Sequence, residues 1–287
     1  MAPRSGRVAP TLYDSEYYDT LASEIQEKYV DQLFNLKDKD FEILSTMRYD
    51  PKLTTVPPVT VNDITKENFF LFDEHYHRLV FTLQYFQLQL NGSTSLEFDI
   101  PYDFLWNKLT EAIRESKKQV YEPMKIRLLV SLEGQVNIEI YETTYRNNLL
   151  DGFNETSSDQ IWDVFIDLEP CLVSPFTSFK TTNRDAYNKA RERCLPGKKP
   201  GKEEVLLVNT QGHLMEGSIS NVAIRRKEDN IWVTPQLSCG CLCGVMRHFL
   251  LRKGFLEEQT LHAEDLGPGS EVLLFNGVMG VVKGIVK

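Results

Sequence analysis

The sequence lacks the features of a membrane, secreted or nucleic-acid-binding protein. No apolar run approaches the ~20 residues that a membrane-spanning helix needs. The opening residues, MAPRSGRVAP, contain no apolar stretch of the kind found in a secretory signal. The formal net charge is −9, which disfavours contact with a phosphate backbone. We therefore expect a small-molecule substrate and neither a nucleic acid nor a membrane as partner.

Cysteine is also scarce, and its spacing excludes a disulfide framework. The five cysteines are Cys171, Cys194, Cys239, Cys241 and Cys243. Five is an odd number, and the last three are too close in sequence to connect distant segments. Reduced thiols are typical of the reducing cytosol, so we expect a cytoplasmic protein.

No metal site is expected either. His75 and His77 lie in one helical turn with two acidic residues, but positions two apart do not share a helix face. The C-x-C-x-C run at 239–243 has no second ligand cluster after it apart from His248 and His262. We interpret this run as small residues that let the backbone close on an anion.

The length of 287 residues allows two domains with sizeable cores. A helical extension is predicted for residues 1–40, a small α/β domain for 41–148, a polar linker for 149–160, and a second domain with a mixed sheet for 161–287. The predicted fold class is therefore α+β. No internal repeat is apparent.

The first domain has clear element signals. A strand is predicted within 41–50 and a helix from about Asp73, with apolar residues at helical spacing. A second helix is predicted within 95–119, with Pro101 at its start. Residues 124–143 read as a hairpin that turns at Glu133-Gly134.

Lys180 is the first candidate for chemistry. A strand predicted over 161–173 precedes it, and a helix predicted over 185–194 follows it. A lysine at such a junction among apolar neighbours is partly desolvated, which lowers its pKa and makes the amine nucleophilic. The alternative is an ordinary surface lysine.

Glu216 and the 239–254 segment are the next candidates. Residues 206–237 predict three strands, with a turn at Gln211-Gly212 and Glu216 where an apolar strand meets a tight turn. Residues 239–254 run from a small-residue loop into an amphipathic helix whose first amides suit a phosphate. A lysine, an acid and a phosphate cradle are the protein groups that a pyridoxal phosphate site requires.

At these residues the chain resembles the fold-type IV pyridoxal-phosphate enzymes, which include branched-chain and D-amino acid aminotransferases and aminodeoxychorismate lyases. Five ordered pieces carry the resemblance: KTTNR at 180–184, MEGSISN at 215–221, TP at 234–235, GVMR at 244–247 and EVLLFNGVMG at 271–280. Residues 41–83 match more weakly. The resemblance implies a two-domain fold, with a mixed sheet or barrel and helices in each domain.

The resemblance also implies roles for individual residues. Lys180 would carry pyridoxal 5'-phosphate covalently and then act as general acid and base, and Glu216 would face the pyridine nitrogen. Arg78, otherwise a solvated helix charge, would bind the phosphate with its side chain. The remaining implied cofactor contacts are the amides of Val245 and Met246, together with Arg184, Asn276 and Gly277. Ser218 and Ser220 are either further contacts or residues that shape a turn.

Two details favour the lyases within this family. The run FNGVMG at 275–280 is similar to theirs, and Thr46 stands where lyases carry a threonine and branched-chain aminotransferases a glycine. The implied reaction converts 4-amino-4-deoxychorismate to 4-aminobenzoate and pyruvate on the folate pathway, with Thr46 assisting proton transfer. On the alternative reading, Thr46 is a plain strand residue. The other functions considered are an aminotransferase and a non-catalytic cofactor-binding protein. A homodimer is expected from the resemblance.

Overall fold

The computed structural model of the protein describes residues 40–91, 99–155, 161–198 and 201–287. The helical extension predicted for residues 1–40 lies outside the described residues except for Asp40.

The first part of the chain forms a three-stranded antiparallel sheet in the order β1-β2-β3. The strands are β1 (Ile43–Tyr49), β2 (Met124–Val130) and β3 (Val136–Glu142). The predicted strand within 41–50 and the predicted hairpin are both confirmed. Gly134 supplies the turn with a φ of 86°, a left-handed conformation that glycine adopts without steric cost.

Two helices cover one face of this sheet. They are α1 (Phe72–Asn91) and α2 (Tyr102–Ser116). One face of α1 is buried as the helical spacing predicts: Phe72, His75, Leu79 and Leu83. The predicted start of the second helix is confirmed, because Pro101 is its N-cap residue, although no side chain there accepts a hydrogen bond from the first turn.

The strand pleat divides the small sheet into two faces. Met124, Ile126 and Leu128 point into the core beneath the helices. Lys125 and Arg127, which alternate with them, lie on the opposite face because successive side chains of a strand point to opposite sides. This second face is turned toward the rest of the molecule.

Residues 161–287 form a mixed eight-stranded sheet in the order β6-β5-β4-β11-β10-β7-β8-β9. β4 is parallel to β5 and β11, and β8 is parallel to β9, while the other pairs are antiparallel. The strands are β4 (Trp162–Cys171), β5 (Glu203–Asn209), β6 (Leu214–Gly217), β7 (Asn221–Arg225), β8 (Trp232–Pro235), β9 (Glu257–Gln259), β10 (Glu271–Asn276) and β11 (Gly280–Val286). The mixed sheet predicted here is confirmed.

Three strands were predicted within 206–237, but the structure has four there, β5 to β8, so the prediction was wrong. Residues 214–217 pair with β5 as an additional short strand, so Glu216 lies inside a strand rather than in the turn after it. β8 has the same length, but its Trp232, Val233 and Thr234 favour a strand, whereas the β6 sequence LMEG has no β-branched or aromatic residue.

Three helices accompany the large sheet. They are the short α3 (Pro175–Ser178), α4 (Asp185–Cys194) and α5 (Val245–Arg252). The helix predicted over 185–194 is confirmed. α4 packs its buried Tyr187 and Ala190 on β5, and α5 packs Met246 and Leu250 on β10. Among the described helices, none has the length and apolarity needed to cross a membrane.

The segment between β4 and α4 joins the two sheets. Phe176 and Phe179 pack into the core of the small sheet. The amide of Leu44 donates to the carbonyl of Lys180 at 2.9 Å, and the amide of Thr182 donates to the carbonyl of Glu42 at 2.8 Å. Residues 42–44 therefore anchor the backbone at the candidate lysine and directly after it.

The division of the chain at 149–160 stays a prediction. Residues 149–153 pack against β11, where the amide of Val281 donates to the carbonyl of Leu149 at 2.7 Å. The neighbouring Gly280 has a φ of 70° and lies so close to that carbonyl that a Cβ would be 2.1 Å from its oxygen. At least the start of the predicted linker is thus held on the second sheet.

Candidate active site

A cavity of about 390 Å³ lies between the two sheets. Its small-sheet wall consists of Leu44, Thr46, His75, Arg78, Lys125 and Arg127. Its large-sheet wall consists of Lys180, Arg184, Tyr187, residues 216–221, Leu242, Gly244, Val245 and residues 276–279. Every predicted site residue lines this cavity except Met246, whose side chain is buried in the core behind α5. The prediction for Met246 concerned its amide, and it stays a prediction.

Lys180 is half-buried at the junction of the two walls. The pKa of its amine is lowered to about 7, mainly by burial and also by the nearby cations Arg184 and Arg78, against the opposing effect of Glu216. A neutral amine is the nucleophilic form, so a large fraction of Lys180 is ready to attack a carbonyl carbon near neutral pH. The partial desolvation expected from the sequence is confirmed.

Glu216 is almost fully buried on β6, with 3% of its surface exposed. Burial raises its pKa to about 7. The hydroxyl of Tyr187 donates to Oε1 at 2.7 Å, and the amide of Asn221 donates to Oε2 at 3.1 Å. These two bonds fix the plane of the carboxyl group in the cavity.

Tyr187 and Asn221 had no role in the sequence-based prediction. Tyr187 lies one helical turn after Arg184, and the Arg184 guanidinium lies 4.8 Å from the centre of its ring. Asn221 is the last residue of the MEGSISN motif, which also contains Glu216. Its place in that motif was the available signal. A further hydrogen bond from Asn221 to the carbonyl of Leu242, at 3.0 Å, ties Glu216 to the loop that precedes α5.

Arg78 is buried in the small-sheet wall, with 6% of its surface exposed. Its Nη2 donates to the hydroxyl of Ser45 at 3.5 Å. The same hydroxyl is 2.8 Å from Nδ1 of His75, which is the buried neighbour of Arg78 one turn earlier on α1. Arg78, Ser45 and His75 therefore form one hydrogen-bonded group at the cavity.

The start of α5 faces this group across the cavity. Gly244 is the N-cap residue, and it has no side chain to satisfy the first amides of the helix. A Cβ at Gly277 would lie 2.7 Å from Nε2 of His75 and 2.9 Å from a methyl group of Val245. Gly277 therefore packs closely against His75 and Val245 at the edge of the cavity, where a side chain would clash with both.

Asn276 organises the loops at this edge of the cavity. Its side-chain oxygen accepts from the amides of Val278 and Met279, each at 2.9 Å, and its Nδ2 donates to the carbonyl of Ile219 at 3.0 Å. These contacts are internal to the protein. They indicate that Asn276 shapes the cavity, and a direct contact with a ligand stays a prediction.

Ser218 and Ser220 also shape a loop. Each hydroxyl donates to the buried carboxylate of Glu204, at 2.6 Å. Arg184 donates to the carbonyl of Ser218, so the same loop holds the guanidinium predicted near the cofactor. Of the two open interpretations of these serines, the geometry favours the one in which they shape the turn.

Lys125 and Arg127 are further candidate residues that sequence reasoning missed. Both line the cavity beside Thr46, and Thr46 pairs directly with Arg127 between β1 and β2. Nη1 of Arg127 donates to Glu139 on β3 at 2.9 Å, and the amine of Lys125 lies 4.9 Å from the centre of the Tyr141 ring. Their alternation with Met124, Ile126 and Leu128 was the available signal.

The cysteine-rich loop before α5 is buried. Cys239, Cys241 and Cys243 are outside any disulfide and have at most 7% of their surface exposed. The thiol of Cys241 donates to the carbonyl of Pro235 at 3.8 Å. Within the described part of the chain, no group of three or more metal-ligating side chains is arranged to hold an ion.

Comparison with known proteins assigns the chain to a family. Residues 60–284 match the sequence profile of the amino-transferase class IV family, so the chain belongs to that family. It is 40% identical over 261 residues to the aminodeoxychorismate lyase of Saccharomyces cerevisiae, which covers 77% of this chain and 68% of the relative. The family resemblance inferred from the motifs is confirmed.

Solved structures show the same fold at low identity. The branched-chain amino acid aminotransferase of Escherichia coli is 15% identical, with a TM-score of 0.60 over 91% of this chain and 81% of the other. A second branched-chain amino acid aminotransferase, from T.th. and complexed with N-(5'-phosphopyridoxyl)-L-glutamate, is 17% identical, with a TM-score of 0.58 over 91% and 81%. The predicted α+β fold of the fold-type IV class is thus confirmed.

Proposed function

We propose that this protein is a pyridoxal-phosphate-dependent lyase that converts 4-amino-4-deoxychorismate to 4-aminobenzoate and pyruvate. The observation that carries the proposal is the meeting of Lys180, with its pKa lowered to about 7, and the buried Glu216 in one cavity. The homology to the lyase of Saccharomyces cerevisiae supports the choice of reaction.

The donors in the cavity fit pyridoxal phosphate. Arg78 and the first amides of α5, from Val245 and Met246, would hold the phosphate, because a helix start and a guanidinium both favour an anion. The buried Nε2 of His75 has no hydrogen-bond partner among the described residues, and its ring lines the cavity with Gly277 and Val245. Lys180 would bond covalently to the aldehyde carbon.

Glu216 would lie at the pyridine nitrogen, held by Tyr187 and Asn221. When bound, the cofactor supplies an electron sink for the substrate carbon that carries the amine. Nζ of Lys180 would take the proton from that carbon, since an amine with a pKa near 7 both accepts and returns a proton at neutral pH. Cleavage of the bond to the pyruvate unit leaves an aromatic ring, so the overall reaction consumes no oxidant.

Substrate recognition would fall to the small-sheet wall. The substrate carries two carboxylates, and Lys125 and Arg127 place two cations on the wall opposite Glu216. Thr46 lies on β1 and pairs with Arg127 of β2. Its hydroxyl would assist protonation of the departing pyruvate unit. Arg184 would lie near the phenolic oxygen of the cofactor.

The decisive experiment is turnover of 4-amino-4-deoxychorismate by the purified, cofactor-loaded protein. We expect equimolar 4-aminobenzoate and pyruvate. An aminotransferase would instead convert the spectrum of its bound cofactor when an amino acid is supplied without a keto acid. That conversion without aminobenzoate formation would replace the lyase with the aminotransferase, and neither response would leave a non-catalytic binding protein.

We also propose that the protein is a cytoplasmic homodimer. Its cysteines are free thiols in the described residues, which suits a reducing compartment, and the family resemblance supports the dimer. Sedimentation equilibrium would contradict the dimer by giving a single species of about the chain mass of 33.1 kDa.

A further inference from the structure

His75 is a buried group to which the sequence-based prediction gave no role at the cavity. Only 1% of its surface is exposed, and its ring lines the cavity beside Lys180 and Arg78. Its Nδ1 is 2.8 Å from the hydroxyl of Ser45, whereas its Nε2 is buried with no hydrogen-bond partner in the part of the chain that the structure describes. An unpartnered buried polar atom carries a free-energy cost, so its position calls for a ligand.

The hydrogen bonds around Ser45 accommodate a ring tautomer in which Nε2 of His75 carries the proton. A guanidinium can only donate, so the hydroxyl oxygen of Ser45 accepts the bond from Arg78. The single hydrogen of that hydroxyl is free to point to Nδ1 of His75, 2.8 Å away. When Nδ1 accepts this bond, the proton of the neutral ring is on Nε2, which makes Nε2 a donor.

The ring stays neutral at physiological pH. Burial holds the pKa of His75 well below its usual range, and the neighbouring cations Arg78 and Lys180 lower it further. The donor at Nε2 is thus a neutral N–H group whose tautomer does not depend on small changes of pH.

The surroundings of Nε2 select an anion as its ligand. Arg78 lies on the same face of α1, one turn from His75. On the other side, Nε2 packs close to Gly277 and to Val245, the first residue of α5, whose amide belongs to an uncapped helix start. The guanidinium of Arg78, the ring of His75 and the start of α5 therefore line the same part of the cavity.

We infer that Nε2 of His75 donates a hydrogen bond directly to the phosphate of the cofactor, in the tautomer whose Nδ1 accepts from the hydroxyl of Ser45. This inference rests on the proposed cofactor. It makes His75 a phosphate-binding residue and Ser45 a positioning residue that acts on both His75 and Arg78.

The test compares two ligands and two variants. The affinities of pyridoxal phosphate and of pyridoxal, which lacks the phosphate, are measured by absorbance titration for wild type, His75→Phe and His77→Phe. His77 lies on the same helix but does not line the cavity, so it is the matched control. We expect His75→Phe to bind pyridoxal phosphate about tenfold more weakly, because a hydrogen bond to a charged group is lost. Its affinity for pyridoxal, and both affinities of His77→Phe, should change less than about twofold.

A second measurement does not depend on the folding of a variant. In wild-type protein with ¹⁵N-labelled histidine, NMR should show the His75 proton on Nε2, and its resonance should shift on addition of pyridoxal phosphate but not of pyridoxal. A proton on Nδ1, or equal losses of both affinities in His75→Phe, would overturn the role of His75 while leaving the proposed lyase intact. Failure of the wild-type protein to bind pyridoxal phosphate would overturn both.

Discussion

The two walls of the cavity hold their side chains in different ways. On the large-sheet wall, Glu216 is fixed by hydrogen bonds from Tyr187 and Asn221. Lys180 follows the short helix α3 on the same wall. On the small-sheet wall, Lys125 and Arg127 project from a strand pleat, and their charged ends contact residues of the neighbouring strand β3.

The two walls also differ in charge. The small-sheet wall carries three cations and no carboxylate among its lining residues, whereas the large-sheet wall combines Lys180 and Arg184 with Glu216. A wall of cations suits the binding of anionic groups, and a lysine next to a carboxylic acid suits proton transfer. We therefore expect variants of the large-sheet wall to lose chemistry, and variants of the small-sheet wall to lose affinity or to keep part of the activity.

The largest effect should come from Lys180→Ala. Without the amine, no covalent adduct with pyridoxal phosphate forms, so borohydride reduction should leave no label and turnover should be undetectable. The measurement is peptide mapping after reduction, with Lys189→Ala, an exposed lysine on α4, as control. A label on Lys189 or Lys202 in the wild-type protein would remove Lys180 from the site.

The same trapping reaction also measures the environment of Lys180. Its pKa of about 7 predicts that adduct formation rises with pH to a midpoint near 7, because the protonated amine below that pH is not a nucleophile. An ordinary lysine would react with a midpoint near 10.4. A midpoint above about 9 would show that the large-sheet wall does not desolvate the amine.

Glu216→Gln should produce the next largest effect. An amide cannot keep the pyridine nitrogen protonated, so turnover should fall by about 10²-fold or more while the covalent adduct still forms. Steady-state turnover and the adduct spectrum are measured together, with the exposed Glu264→Gln as control. Turnover within threefold of wild type would mean that the large-sheet wall does not tune the cofactor through this carboxyl group.

Arg78→Ala tests the binding role of the small-sheet wall. A charge-assisted contact with phosphate is worth about 1.5–3 kcal/mol, so pyridoxal phosphate should bind about 10- to 150-fold more weakly. At saturating cofactor, turnover should recover most of its wild-type value. Arg114→Ala, at an exposed position on α2, is the control. Unchanged affinity would contradict the assignment of Arg78 to the phosphate.

Thr46→Val should give the smallest effect. Valine keeps the shape of the side chain and removes the hydroxyl, so aminobenzoate formation should fall at least several-fold with an unchanged adduct spectrum. Thr110→Val, a half-buried threonine outside the cavity, is the control. Equal turnover of wild type and Thr46→Val would leave Thr46 as a strand residue only.

Local patterns predicted most of the elements around the site. The helix over 185–194 and the strand within 41–50 were located to within a few residues, because periodicity and turn residues are local signals. β6 was missed because its sequence, LMEG, contains no β-branched or aromatic residue to signal a strand. Lys125 and Arg127 were missed for a different reason. Strand alternation shows that their side chains point away from the core, but it does not show which part of the molecule they face.

The sequence by itself determined which groups are available: the lysine at a strand-to-helix junction, the carboxylate before a glycine, and the family motifs in their order. Only the tertiary structure decided their chemistry. β1, far away in the chain, anchors the carbonyl of Lys180, and Arg78 from α1 helps to lower the pKa of its amine. The physical reason is that a pKa depends on desolvation and on nearby charges, and both are created by segments that meet only when the chain folds.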